Sequence, residues 1–145
     1  MSLILFRLIA ILEVAGGFYG MASVLPRLLA VGPLHTAAIG LIEFALYAFV
    51  LVAGVLLLEN SERGIRFSSI AQLLQLPLIA TPIISYALYC GACLDLFAAV
   101  HIPTRPELTW QLGSERFLLA FHGPAVSHLG VNVLALVSWL VLKLR

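Results

Sequence analysis

Four stretches of this sequence, residues 3–24, 35–58, 67–92 and 117–142, are each apolar over a length that crosses a bilayer. Roughly 20 apolar residues cover about 30 Å of hydrocarbon as a helix. In that medium every backbone N–H and C=O has to be paired within the protein, and a helix does so inside one segment. The pattern predicts an all-α fold: an integral membrane four-helix bundle forming a single domain over residues 1–145. Composition points the same way, because 62% hydrophobic and 10% charged residues are more apolar surface than a soluble chain of this size can hide. A net charge of +1 provides no field for nucleic acid. The partner implied is the lipid bilayer.

The breaks between the spans carry turn and charged residues: Pro26, Gly32 and Pro33, then residues 59–66, then residues 101–116 with Pro103 and Pro106. The first span begins without a basic cluster and carries Arg7 and Glu13 where a signal peptide has an unbroken apolar core, so it reads as a retained helix. With the N-terminus inside, Arg7, Arg63, Arg66, Lys143 and Arg145 fall on the cytoplasmic side and Arg27, Arg105 and Arg116 outside. That excess places both termini in the cytoplasm. Pro77 and Pro82 predict a kinked third helix, and Gly123 with Pro124 predicts a fourth helix starting at Pro124. Trp110, Trp139 and Tyr89 suit interfacial depth.

Ionisable residues inside a membrane span mark functional sites by default, and the spans hold Glu13 and Glu43. At about 1.5 Å per residue both lie near mid-depth, with Gln75 about 12 Å and Asn132 about 15 Å from the cytoplasmic ends of their spans. Each helix thus contributes one strong polar group to a predicted common layer. Glu13, Gly16, Gly17 and Gly20 share a helix face that permits close approach. Gln72, Gln75, Ile79, Pro82 and Tyr86 follow the same spacing in the third span, so the glutamines and Tyr86 are expected to face inward. Two readings of the layer stand side by side. In one, carboxyls and amides hold the bundle together by hydrogen bonds; in the other, a carboxyl binds a proton, a cation or a polar substrate group. The candidate ligand or ion site is therefore Glu13, Glu43, Gln72, Gln75, Tyr86 and Asn132.

The run Ala10-Ile11-Leu12-Glu13-Val14 resembles the first helix of the small multidrug resistance transporters, and Ser85-Tyr86-Ala87-Leu88-Tyr89-Cys90-Gly91 is loosely similar to their third helix, with Tyr89 where they carry tryptophan. That resemblance implies a coupling role for Glu13. Over more of its length the chain is similar to small, uncharacterised four-helix bacterial membrane proteins. Gln72-Leu73-Leu74-Gln75-Leu76-Pro77, Gly130-Val131-Asn132-Val133-Leu134-Ala135-Leu136 and Glu13-Val14-Ala15-Gly16-Gly17 carry that similarity. It implies a bacterial inner membrane and no particular reaction.

Cys90-Gly91-Ala92-Cys93 has redox-dithiol spacing, two sulfurs one helical turn apart if the segment is helical. It resembles the motif of membrane enzymes related to vitamin K epoxide reductase, which also need a second, shuttling cysteine pair that this sequence lacks. Cys90, Cys93, Asp95 and His101 are ligand types suited to zinc or copper, yet their spacing does not demand a metal. His122 and His128 do not share a helix face. No nucleophile elbow or phosphate loop is present. The sequence therefore reads as a small membrane protein, not an enzyme, that binds or transports an ion or small molecule. The alternatives are a non-catalytic subunit of a membrane complex and a thiol-disulfide or metal-linked protein. The glycine face also suits a homodimer, and no cofactor is specified.

Overall fold

The computed structural model describes residues 2–30, 33–80, 85–99, 106–112, 117–120 and 128–144. Two long helices, α1 (Ser2–Leu29) and α2 (Leu34–Leu58), form an antiparallel hairpin. At 28 and 25 residues they extend about 42 and 37 Å. Both are long and apolar enough to cross a membrane. Pro26 falls in the last turn of α1, and the helix runs past it, with Ala30 N donating to Pro26 O at 3.1 Å.

The hairpin closes through glycines. A Cβ at Gly17 would lie 2.8 Å from Leu51 N, one at Gly54 would lie 2.9 Å from Ala10 O, and one at Gly20 would collide with the Tyr47 ring. The expected glycine face of α1 is indeed an internal contact face. Gly16 serves a different neighbour from Gly17 and Gly20: its Cβ would land on the backbone of Gly91.

The rest of the chain departs from the all-α expectation. α3 (Glu62–Gln75) and α4 (Val133–Lys143) are half-length helices, and between them lie β1 (Pro77–Ala80), β2 (Ser85–Leu88), β3 (Ala92–Ala99), β4 (Pro106–Leu112), β5 (Phe117–Ala120) and β6 (His128–Asn132). These form one antiparallel sheet in the order β4-β3-β6-β1-β2-β5. The predicted helices at 67–92 and 117–142 are each part helix and part strand.

The reasons are local. α3 starts where Ser61 accepts from Gly64 N at 2.9 Å, a side-chain cap ahead of Glu62 at the positive end of the helix dipole. It stops one residue before Leu76 because Pro77 has no N–H to donate and its ring would strike the carbonyl of Leu73. The expected kink is thus a termination, and Pro77 opens a strand, a position proline tolerates. α4 starts late because Asn132 is its cap, its Oδ1 accepting from Ala135 N at 3.1 Å. Pro82, Pro103, Gly123, Pro124, His101, His122, Arg105, Arg116 and Arg145 lie outside the described residues, as do the side chains of Cys93, Asp95, Trp110 and His128. Replacing Asn132 by alanine should lower stability by about 1 kcal/mol, and Asn132→Ser should recover most of it. Thermal unfolding of the purified protein measures both.

Phe6, Ile9 and Ala10 of α1 pack with Leu57 of α2 and Leu142 of α4, joined by Ile65 of α3. This gathers the start of α1, the end of α2, the start of α3 and the end of α4 at one end of the molecule. All four helices meet at this end. Farther along the hairpin, Val24, Tyr47, Val50 and Ala53 pack with Ala71 of α3, Leu88 of β2 and Cys90 just after it. The changeover from helix to strand comes where α3 ends and α4 begins. There Asn132 N donates to Leu76 O at 3.1 Å, and Pro77 pairs with Val131. The chain crosses from β2 to β3 at residues 89–91, pressed against α1 at Gly16, with Gly91 in the left-handed region at φ +80. Tyr47 Oη donates to Tyr89 O at 3.1 Å and ties this crossing to α2.

Candidate functional site

Glu13 lies at the changeover and is 2% exposed. It faces Gly54, where a Cβ would come 2.8 Å from its own. From α3, Ser68 Oγ donates to Glu13 Oε1 at 2.6 Å and Gln72 Nε2 donates to the same oxygen at 2.8 Å. Ser68, Gln72 and Gln75 follow at helical spacing, so one face of α3 presents all three polar groups.

The second oxygen, Glu13 Oε2, is buried with no hydrogen-bond partner among the described residues; the same holds for Gln75 Nε2 and Asn132 Nδ2. Glu13 and Gln75 line one cavity with Gln72, Cys90 and Ser138, and with Leu134 and Ala135 from the first turn of α4. About 10 Å³ is open to the centre of a water-sized sphere, enough for about one water molecule. The start of α4 brings the positive end of its dipole to this space.

Of the residues expected in one layer, the fold brings Glu13, Gln72 and Gln75 together, with Asn132 capping the helix alongside. Tyr86 is outside the cavity lining: its hydroxyl donates to Leu74 O at 2.9 Å and fastens β2 to α3.

Glu43 does not share the layer. Glu13 is level with Gly54, and Glu43 precedes Gly54 by 11 residues on α2, which sets it about 16 Å away along the helix. The expected common depth assumed that α1 ends at residue 24, whereas it continues to Leu29. Glu43, 1% exposed, is instead paired with Arg27, whose Nη2 lies 2.9 Å from Glu43 Oε1 and whose side chain is 54% exposed.

Cys90 is buried and faces the Glu13 cavity. The expected helical dithiol is not formed as such, since Gly91 turns the backbone and Cys93 sits in β3, paired with Gln111. Among the described residues no group of three or more His, Cys, Asp or Glu side chains could hold a metal ion.

Ser68, Ser138 and Arg27 are site residues that the sequence reading did not single out. Ser68 carried a signal, standing one turn before Gln72. Arg27 carried one too, because counting outward from the α1–α2 turn sets it against Glu43. Ser138 carried none, since its place depends on where α4 starts.

Comparison with protein-family models, with curated proteins and with solved structures found no match to this chain.

Proposed function

We propose that this chain is an integral membrane protein whose Glu13 centre binds and releases a single small cation, the proton included. The membrane part of the reading rests on the α1–α2 hairpin. Leu3, Ile4, Leu8, Ile11 and Phe18 of α1 and Leu41, Ile42 and Val52 of α2 are exposed, and helices apolar on their outward faces belong in lipid. Arg7, Arg63, Arg66 and Lys143 are exposed toward one end of the molecule, and such an excess of cations supports reading that end as cytoplasmic. Lys143 Nζ also lies 4.6 Å from the centre of the Trp139 ring, an interfacial pairing. Both termini are then cytoplasmic, and the location that fits is a bacterial inner membrane.

One observation carries the binding part: a buried carboxyl that lines a cavity about one water molecule in size is held at one oxygen by Ser68 and Gln72, while its other oxygen has no partner among the described residues. That volume suits an ion or a single molecule of water size. Glu43 is a poor candidate for the same task because Arg27 neutralises it.

The test is Glu13→Gln, which keeps an acceptor for Ser68 and Gln72 and removes the charge. The wild-type protein in lipid nanodiscs should change its unfolding temperature with pH or with added sodium or potassium, since a ligand of the native state stabilises it. The variant should insert and fold yet lose that response. A variant that follows the wild type under every condition would end this reading.

A further inference from the structure

We infer that one water molecule is bound between Glu13 Oε2 and Gln75 Nε2, beneath the first turn of α4, and that the ion exchanged at Glu13 is a proton carried by this water and not a metal cation. The inference rests on the ion-binding reading above and names its ligand.

Two residues that line the same cavity each keep one buried atom without a partner among the described residues, and the two are of opposite kind: Glu13 Oε2 can only accept from a neighbour while ionised, and Gln75 Nε2 can only donate. Buried polar groups without partners are rare in native proteins. A water needs roughly 10–15 Å³ by this measure and two to four polar partners. The cavity has about 10 Å³. One water accepts from Gln75, donates to Glu13, and has a further partner in Ser138, which lines the same space.

The same lining disfavours a metal ion. Hard cations take several oxygen ligands, whereas here the groups bonded to the carboxyl are O–H and N–H donors, Ser68 and Gln72, and the start of α4 presents a positive dipole end. The described side chains lining the cavity from α3, α4 and the β2–β3 crossing are uncharged, and Cys90 is the one titratable group there besides Glu13. From α2 the neighbour is Gly54, and the Arg27–Glu43 pair is about 16 Å distant. Among the described residues no fixed cation balances Glu13, and a proton takes that role. In the uptake step a hydronium at the water position gives one proton to Oε2: an O–H bond forms on Glu13, one on the hydronium breaks, and neutral water stays behind. Release is the reverse.

Infrared difference spectra between acid and alkaline buffer test this on the full chain in nanodiscs, recorded in ordinary water and in oxygen-18 water, with Glu13→Gln and Gln75→Leu as variants. The wild type should show a carboxyl band absent from Glu13→Gln and a water O–H band that shifts with oxygen-18. Gln75→Leu should lose the water band, and Gln75→Asn, a smaller change that serves if the leucine variant does not fold, should shift it. Sodium or potassium at fixed pH should leave the carboxyl band unmoved. A wild type without an isotope-sensitive water band, a water band that survives unshifted in the folded Gln75 variants, or a carboxyl band moved by sodium or potassium overturns the inference. In the last case the ion-binding reading survives with a metal as ligand; a Glu13 band that answers to neither pH nor cations overturns both.

Discussion

Gly16→Ala is expected to cost about 3 kcal/mol or more, the upper part of the range for overpacking, although it adds a single methyl group. The added Cβ would fall on the Gly91 backbone, 2.7 Å from its Cα, and it would also lie 2.8 Å from the carbonyl carbon of Cys90. These are main-chain atoms with no rotamer to change. They also cannot retreat, because Tyr47 holds Tyr89 O from α2 and Gly91 has its own close contact, with a Cβ there meeting Leu12 O at 2.8 Å. The chain would have to separate the β2–β3 crossing from α1, opening the cavity beside Glu13. Gly40→Ala is the matched control. Its Cβ meets only the end of the Leu28 side chain, at 3.0 and 3.6 Å, and alanine gains up to about 1 kcal/mol of helix propensity over glycine. Detergent-micelle unfolding of the two variants should separate them widely, and equal tolerance would mean that the crossing does not press on α1.

Arg27→Met should be nearly as damaging, at about 3 kcal/mol, the low end of what removing one partner of a buried pair costs. The low end applies because Arg27 is half exposed while Glu43 is 1% exposed, so solvent screens one side of the pair. The loss comes from stranding a buried carboxylate whose other oxygen already lacks a partner among the described residues. Removing both charges is expected to be far milder: Arg27→Met with Glu43→Leu should recover most of the stability, since two apolar groups leave nothing unpaired. A double-mutant cycle read by thermal unfolding gives the coupling. A double variant as unstable as Arg27→Met alone would show that the arginine works through its aliphatic packing.

Apolar run length located α1 and α2 in the sequence because a helix apolar around most of its circumference has no strand counterpart of that length. The glycine face of α1 was legible for a related reason: residues at three, four and seven steps share a side of any helix. Beyond Gln75 the same logic misled. Residues 76–92 and 117–132 sit within apolar stretches of span length, and pairing every backbone group in hydrocarbon argues for helix. The structure pairs these segments in ladders instead, β1, β2, β3 and β6 on both sides and the edge strands β4 and β5 on one. Single residues decided the outcome: Pro77 stops one helix, and Asn132 starts the next. Composition averages over a window of about 20 residues and does not see such punctuation.

The site was half legible for the same reasons. Glu13, Gln72 and Gln75 could be aligned by helical spacing within α1 and α3, and the fold brings them together. Glu43 was misplaced because its level depends on where the turn lies, an error of five residues at the end of α1 that amounts to about 7 Å. The cavity itself was not legible at all, since it exists only where two half-helices and a crossing segment meet.

If the α1–α2 hairpin crosses a bilayer with Glu13 inside it, the two ends of α2 face opposite sides, and cysteine accessibility reads this out. With Cys90 and Cys93 replaced by serine, single cysteines at His35, at the start of α2, and Ser61, after its end, would be labelled with a membrane-impermeant maleimide in intact cells and again after lysis. Position 35 should react in intact cells and position 61 only after lysis. Labelling of both positions from the same side would contradict it.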